Sequence, residues 1–352
     1  MNTDKTVIID SRPVGAAHSC FIIAEAGVNH NGKFSLAKKL IDAAKKAGAD
    51  AVKFQVFRAE RLVTKTAEKP AYQKRSTGGG SQHDMLKKLE LTRDDFKKLS
   101  GYAEKKEIIF LASAFDTESF DFLDDLKVPA FKVPSGEITN FSLLRHVAKK
   151  EKPIIMSTGM SNLGEVEEAL KTIMEEGAKE VVLLHCVSNY PAKVEETNLR
   201  AMETLRRTFG LPVGLSDHTT STTVPIAAVA LGAAVIEKHF TLDRKMPGPD
   251  HKASLEPGEF REMVEHIREV EKALGDGVKR PTEGEEAMKK AVRRSIVAKV
   301  DIPKGTVIAE DMLDLKRSGI GLEPMYLKKV VGKRAKRDIK VEEPITFEKL
   351  TG

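Results

Sequence analysis

Short apolar runs alternate with longer amphipathic ones along most of this chain. FIIAEAG (21–27), AVKFQVF (51–57), IIFLASAF (108–115), AFKVPS (130–135), PIIMST (153–158), VVLLHC (181–186), PVGLSD (212–217) and AVIEKHFT (234–241) read as buried strands. Each is followed by a run with helical spacing: 34–49, 92–107, 117–127, 140–151, 162–178, 197–210, 222–233 and 256–276. In the first of these, Leu36, Leu40, Ile41 and Ala44 fall on one face. Eight strand–helix units predict an α/β fold, a (β/α)8 barrel, over an open doubly wound sheet. No GxGxxG follows the first strand, so a dinucleotide fold has little support. The texture changes after residue 280. SIVAKVDIPKGTVI (295–308) and GKRAKRDIKVEEPITF (332–347) are short β runs around turns. The predicted organisation is a barrel over 1–280, a charged linker over 281–294 and a small β-rich domain over 295–352.

Composition changes this picture little. The chain has 352 residues, 41% of them hydrophobic, enough for a large core. The net charge of +6 is compatible with an anionic ligand without requiring one. Lysine and arginine are scattered and aromatics sparse, which argues against nucleic acid as a partner. Two distant cysteines, Cys20 and Cys186, imply neither a disulfide framework nor a zinc ribbon. No apolar run reaches the roughly 20 residues needed to span a membrane. With no signal-peptide core, a cytoplasmic location is the expectation.

Active sites of such barrels sit at the C-terminal ends of the strands. The polar residues there are Glu25, Asn29 and His30; Lys53 and Gln55; Ser113; Lys132, Ser135 and Glu137; Ser157 and Thr158; His185, Cys186, Ser188, Asn189 and Tyr190; Ser216, Asp217 and His218; Glu237 and His239. Singly, each has a plain structural reading. A strand lysine snorkels, a serine turns the chain, His185 is a bonded core histidine, Cys186 is a filler, and His30 and His146 fit surface positions. Charged residues repeated around an apolar barrel argue otherwise. Period-two alternation puts Lys53 with Gln55, and Glu237 with His239, on the barrel face, and turns Lys238 toward the helices. His218 and His239, from adjacent strands, can bind a divalent metal, although two histidines alone are a weak signal. The lysines and serines suit phosphate and carboxylate groups.

EAGVNHNG, AVKFQ, FKVPSGE, STGMS, HCVSNYP, GLSDHT, EKHFT and PGPDHKASLEP, in this order, resemble the sialic acid synthases, the N-acetylneuraminate and N,N'-diacetyllegionaminate synthases. The similarity runs from residue 20 to 350, and its last part resembles the antifreeze-like (SAF, β-clip) domain of these enzymes. The resemblance implies condensation of phosphoenolpyruvate (PEP) with N-acetylmannosamine (ManNAc) and water, giving a sialic acid and phosphate. The alternative acceptor is 2,4-diacetamido-2,4,6-trideoxymannose, giving legionaminic acid. Pseudaminic acid synthesis is a third option that GPDHKASLEP fits less well. Implied roles are Lys53, Lys132, Ser135, Ser157 and Ser216, with Ser113 alongside, for PEP. His218 and His239 would hold Mn2+, or Mg2+ or Co2+. Glu25 and Glu137 would handle water and protons. Gln55, Tyr190, Glu237 and Asp250 would orient the sugar, and Arg317 would reach it from a domain-swapped partner. Ser188 and Ser318 depart from the asparagine and proline expected there. Two other classes stay open on the residues alone: a Schiff-base aldolase using Lys132 or Lys238, and a non-catalytic saccharide-binding protein.

Overall fold

The computed structural model describes residues 5–351. Its first unit, ending at Gly275, is built on a closed barrel of eight parallel strands. The strands are β1 (Phe21–Gly27), β2 (Ala51–Val56), β3 (Ile109–Ala114), β4 (Phe131–Val133), β5 (Ile154–Ser157), β6 (Val181–Cys186), β7 (Val213–Asp217) and β8 (Val235–His239). Neighbours in sequence pair in space, and β8 closes on β1. The following helices are α1 (Phe34–Lys46), α2 (Arg93–Lys105), α3 (Thr117–Asp125), α4 (Phe141–Ala148), α5 (Leu163–Glu175), α6 (Ala201–Phe209), α7 (Thr223–Ala230) and α8 (Pro257–Leu274). In α1, Leu40, Ile41 and Ala44 are buried as the spacing predicts, and Leu36 is half-buried.

Alternation along the strands sorts the barrel into two layers. Phe21, Ile23, Ala51, Leu111, Ala130, Ile155, Val182 and Val235 point inward at the strand starts and form an apolar plug. Val7, Ile9 and Val14 join it from an N-terminal hairpin, Val7–Ile9 paired with Arg12–Val14. That hairpin escaped the sequence reading because each arm has three residues. Its turn signal is Asp10–Ser11, both at positive φ, the geometry of a two-residue hairpin turn. Two positions on from Ile23, Ala51, Leu111, Ala130, Ile155 and Val235, the same inward face carries Glu25, Lys53, Ser113, Lys132, Ser157 and Glu237, whereas β6 keeps Leu184 there. The plug therefore seals one end and leaves the charged end open.

Between β2 and α2, residues 58–91 form a segment that the sequence reading left unassigned. It holds three short helices, Ala59–Leu62, Ala71–Thr77 and Gln82–Lys87. Buried Lys69 donates to the carbonyls of Gly78 (3.1 Å) and Gly79 (2.8 Å), which ties both ends of the middle helix together.

The second unit begins at Asp276. The stretch expected as a linker is mostly a helix, Glu283–Val292, capped by Thr282 and Glu285. Beyond it, Ser295–Ala298 pairs with Leu313–Lys316 and Arg334–Ala335 with Leu350–Thr351, both antiparallel. Ile296, Ile302, Ile308, Val330, Ile339 and Ile345 form its core. No helix of the described residues is long and apolar enough to cross a membrane.

Candidate active site

The open end of the barrel holds a cavity of about 670 Å³. Of the residues to which the resemblance gave a role, all but Glu137 and Arg317 line it. Its floor is a buried charge cluster. Lys53 Nζ lies 2.7 Å from Glu25 Oε2 and 3.6 Å from Glu237 Oε2, and donates to Ser113 Oγ at 2.9 Å. Lys132 Nζ donates to Ser157 Oγ (2.7 Å) and sits 3.8 Å from Glu237 Oε1, which accepts from Ser216 Oγ (2.8 Å). Gln55 Nε2 donates to the other oxygen of Glu25 at 3.0 Å. Strand register explains the convergence: Glu25 is level with Lys53, Gln55 with Ser113, Ser113 with Lys132, and Ser216 with Glu237.

Electrostatics differentiate the four charges. Burial acts to lower Lys53, but Glu237 and Glu25 outweigh it and raise the group. Lys132 goes the other way: burial lowers it, and Glu237 offsets this only partly. Burial raises Glu25 despite Lys53. Burial also works on Glu237, but Lys132 and Lys53 bring it below the usual carboxylate range. Lys53 is thus paired with two carboxylates, whereas Lys132 has Glu237 alone, at 3.8 Å, and hydrogen-bonds to no carboxylate. Ser113 and Ser157 accept from ammonium groups, so their own protons are free to point at an anion. Beside them, Gly159 N donates to Ser135 Oγ at 3.0 Å. A Cβ at Gly159 would stand 2.8 Å from Ser135 Oγ and 2.3 Å from Ser188 Oγ. Only glycine leaves this hydroxyl-lined cradle open.

His218 and His239 face each other on one wall, ring centroids 5.2 Å apart. His218 Nδ1 bonds Val187 O at 2.7 Å. A carbonyl only accepts, so this nitrogen carries the proton and Nε2 keeps its lone pair when the ring is neutral. His239 Nδ1 has no hydrogen-bond partner, and burial, with cationic neighbours, pushes this ring well below the ordinary range. Burial acts to lower His218 too, but Cys186 and the Val187 carbonyl outweigh it and raise the ring. When both rings are neutral, their free lone pairs fit a divalent cation. No group of three or more His, Cys, Asp or Glu forms a cage among the described residues, so further ligands would come from water or substrate. Tyr190 stacks on His218 at 4.1 Å, and Tyr72 on Tyr190 at 5.2 Å. Asp250 is buried in the cavity wall, its carboxyl raised to about 7 by burial and by Glu25.

Several expectations require correction. Glu137 does not line the cavity. β4 is only three residues long, and the chain turns at once into Ser135–Glu137, where Glu137 accepts from Asn140 Nδ2 at 2.8 Å. Arg317 is exposed in the second unit, just after the strand Leu313–Lys316. His30 is not a surface residue but 1% exposed. Cys186 is buried but is more than a filler: it lines the cavity with Sγ 3.8 Å from His218 Nδ1. Two expectations hold: His185 is a bonded histidine, with Nε2 2.8 Å from Thr197 O, and Lys238 lies outside the cavity, fully buried on Asp217. Sequence reasoning missed Tyr72 and Gly159. With 5% aromatic residues and four tyrosines in the chain, a tyrosine in a polar connection was the available signal for Tyr72.

Burial of His30 has a consequence for stability. Its pKa is lowered to about 4 by desolvation, against about 6.5 unfolded. Between those values the unfolded chain binds a proton that the native one does not. Stability therefore falls as pH drops from 6.5 toward 4, by about 3 kcal/mol from this group. Melting temperatures between pH 7.5 and 4 should fall less steeply in His30→Asn than in the parent chain; parallel curves would refute this.

Residues 40–279 match the NeuB family. The chain belongs to that family. Residues 293–351 match the SAF domain. The chain is 48% identical to the N,N'-diacetyllegionaminic acid synthase of Legionella pneumophila, covering 96% of each chain. It is 39% identical to the human N-acetylneuraminate-9-phosphate synthase, over 96% of this chain and 94% of that one. The crystal structure of N-acetylneuraminic acid (sialic acid) synthetase from Leptospira borgpetersenii superposes with a TM-score of 0.73 at 32% identity, covering 82% of this chain and 98% of that one. The NeuB-family chain described here is accordingly an enzyme, a synthase with a SAF domain.

Proposed function

We propose that this NeuB-family synthase condenses PEP with an N-acetylated, mannosamine-type aldehyde and water, releasing phosphate. The observation that carries the reading is the floor: a buried lysine, Lys132, whose one carboxylate neighbour stands 3.8 Å away, among hydroxyls whose protons are free, beside two carboxylates. Lys132, Ser157, Ser135 and the open face of Gly159 hold PEP's anionic groups, and Lys53 keeps Glu25 and Glu237 in register. C3 of PEP attacks the aldehyde carbon, and the aldehyde oxygen takes up a proton to become a hydroxyl. C2, left electron-poor, is stabilised by the neighbouring carboxylates. Water adds to C2 and gives one proton to Glu25, which burial makes the readier of the two carboxylates to carry it. The C2–O bond to phosphate then breaks as the new C2 hydroxyl passes its proton to the departing phosphate, leaving the 2-oxo acid; the proton taken by Glu25 balances the one taken up at the aldehyde oxygen. His218 and His239 would hold a divalent cation, which when bound supplies Lewis-acid polarisation of the aldehyde oxygen. Glu237, expected beside the sugar, serves the PEP end in this reading. The partner subunit's Arg317 completes the sugar site in a swapped homodimer.

Phosphate release from PEP with a panel of N-acetylated aldoses, with and without EDTA, tests this. Release that depends on the aldose and is lost to the chelator is expected. No release with any aldose overturns the reading, and release untouched by EDTA overturns its metal. In the same assay, mixed Arg317→Ala and His239→Ala protomers should regain activity; no gain rejects the swapped dimer.

A further inference from the structure

Asp250 reaches the cavity from the β8–α8 connection, not from a strand. No strand register fixes it. Its carboxyl, acted on by burial, Glu25 and His218, takes no hydrogen bond from a described residue. Its place therefore depends on what holds residues 240–255. A buried polar network shared with the β1–α1 turn does this. Asn29 spends both amide hydrogens, on Phe240 O and on Ser254 Oγ, each at 2.9 Å. Ser254 Oγ in turn donates to Asp250 O at 2.7 Å. His251, 0% exposed, bridges the same two segments. Its Nε2 lies 3.2 Å from Asn31 Oδ1 and its Nδ1 2.7 Å from Thr241 Oγ1. An amide oxygen only accepts, so Nε2 carries the proton and Nδ1 accepts from the threonine hydroxyl. Both ring nitrogens are then satisfied only in the neutral ring, and burial, which lowers the group to about 4, keeps it neutral. Gly248 closes the arrangement at positive φ: a Cβ there would stand 2.6 Å from His251 Cδ2 and 2.8 Å from Asn31 Oδ1.

We propose that His251, with Asn29 beside it, is a positioning residue of this enzyme: it latches the β8–α8 connection onto the β1–α1 turn and so holds the Asp250 carboxyl at the cavity wall. This rests on the PEP-condensation reading above, in which Asp250 faces the sugar. Neither His251 nor Asn29, Asn31, Thr241 or Ser254 lines the cavity, so the network acts through the residue it carries. Two apolar side chains would seal these turns against each other equally well, at no desolvation cost. A bonded polar network instead fixes one register between them. The same connection is tied to the catalytic strand end, since Phe240 N donates to Glu25 O at 2.8 Å. The latch thus sets Asp250 relative to Glu25 rather than relative to solvent.

The test is phosphate release with ManNAc or 2,4-diacetamido-2,4,6-trideoxymannose, whichever the parent chain uses better, with kcat and KM measured separately and PEP alone titrated by calorimetry. His251→Phe fills the space and loses both bonds. It should raise the acceptor KM by about 10-fold or more, as a small misplacement of a contacting group does, with PEP affinity unchanged. A merely structural defect would lower the active fraction, and so kcat, without moving KM. His251→Asn, which keeps an acceptor for Thr241, should recover part of the loss. Asn31→Gly keeps the φ of 52° and removes only the acceptor of Nε2. It should raise KM by about 3-fold, the scale of one hydrogen bond, and it carries the test if His251→Phe does not fold. An effect that runs through Asp250 vanishes once that carboxyl is gone, so the double variant of His251→Phe and Asp250→Ala should match Asp250→Ala alone. An unchanged acceptor KM in the folded variants, or a further rise on the Asp250→Ala background, overturns the latch and leaves PEP condensation standing. So does Asp250→Ala with the parent chain's KM. No release by the parent chain with either acceptor brings down the functional reading and this inference with it.

Discussion

Lys53→Met is expected to lower kcat/KM for phosphate release by at least about 100-fold, the scale seen when one preorganised electrostatic contact is removed. It should also cost roughly 3–5 kcal/mol of stability, because a buried charge pair loses one partner. The argument rests on where Lys53 sits. Its ammonium is within 3.6 Å of two carboxylates that are themselves almost fully buried. Without it, Glu25 and Glu237 repel each other in a site with little water. One must take up a proton or turn away, and Glu25, already raised, is the more ready to protonate. A protonated Glu25 cannot accept the proton of the attacking water. Lys53→Arg should not rescue, since a planar fork cannot reproduce a compact ammonium between three oxygens. Kinetics with a saturating aldose, together with urea unfolding, test both halves. Activity within 10-fold of the parent chain would show that the cluster is structural only.

Much of this site was legible in the sequence because barrel chemistry follows an arithmetic of alternation. Ala51, Lys53 and Gln55 share a face, and so do Val235, Glu237 and His239. The fold then turns the first of each series into plug and the rest into floor. The barrel was legible for the same reason, since eight buried strands each carried a helix of ordinary length. The failures share a cause too. Glu137, whose role came from the resemblance, follows a three-residue strand and lies in the turn after it, where alternation gives no direction. Tyr72 lies in a connection with no period to read, and its place is set by Lys69, Gln73 and Gln82 contacts that no spacing rule describes. His30 was read as exposed because it stands in a polar loop. The β1–α1 turn in fact folds it back near the Phe54 ring, centroids 6.0 Å apart.

Lys238 marks the other face of the same alternation, and its loss should be felt first as instability. Nζ lies 2.5 Å from Asp217 Oδ2 and donates to Thr219 O at 2.5 Å, with the pair 0% and 1% exposed. Asp217 also accepts from Thr219 N at 2.9 Å. The pair therefore locks the ends of β7 and β8 together one residue away from each of the two imidazoles, His218 and His239. Lys238→Met leaves Asp217 buried without its cation and should cost about 3–5 kcal/mol. Adding Asp217→Leu removes the stranded charge, and replacing both members of a buried pair by apolar groups is often nearly neutral. The double variant is thus expected to be more stable than Lys238→Met alone, though Thr219 N then lacks an acceptor. Urea midpoints of the parent chain, the two single variants and the double variant decide this; a double variant as unstable as the sum of its singles would mean the two residues act independently. Lys238 reaches no cavity surface, so borohydride with pyruvate should trap no adduct on it. An adduct at Lys132, the cavity-lining lysine with the lowered pKa, would instead revive the Schiff-base chemistry that the two strand lysines left open.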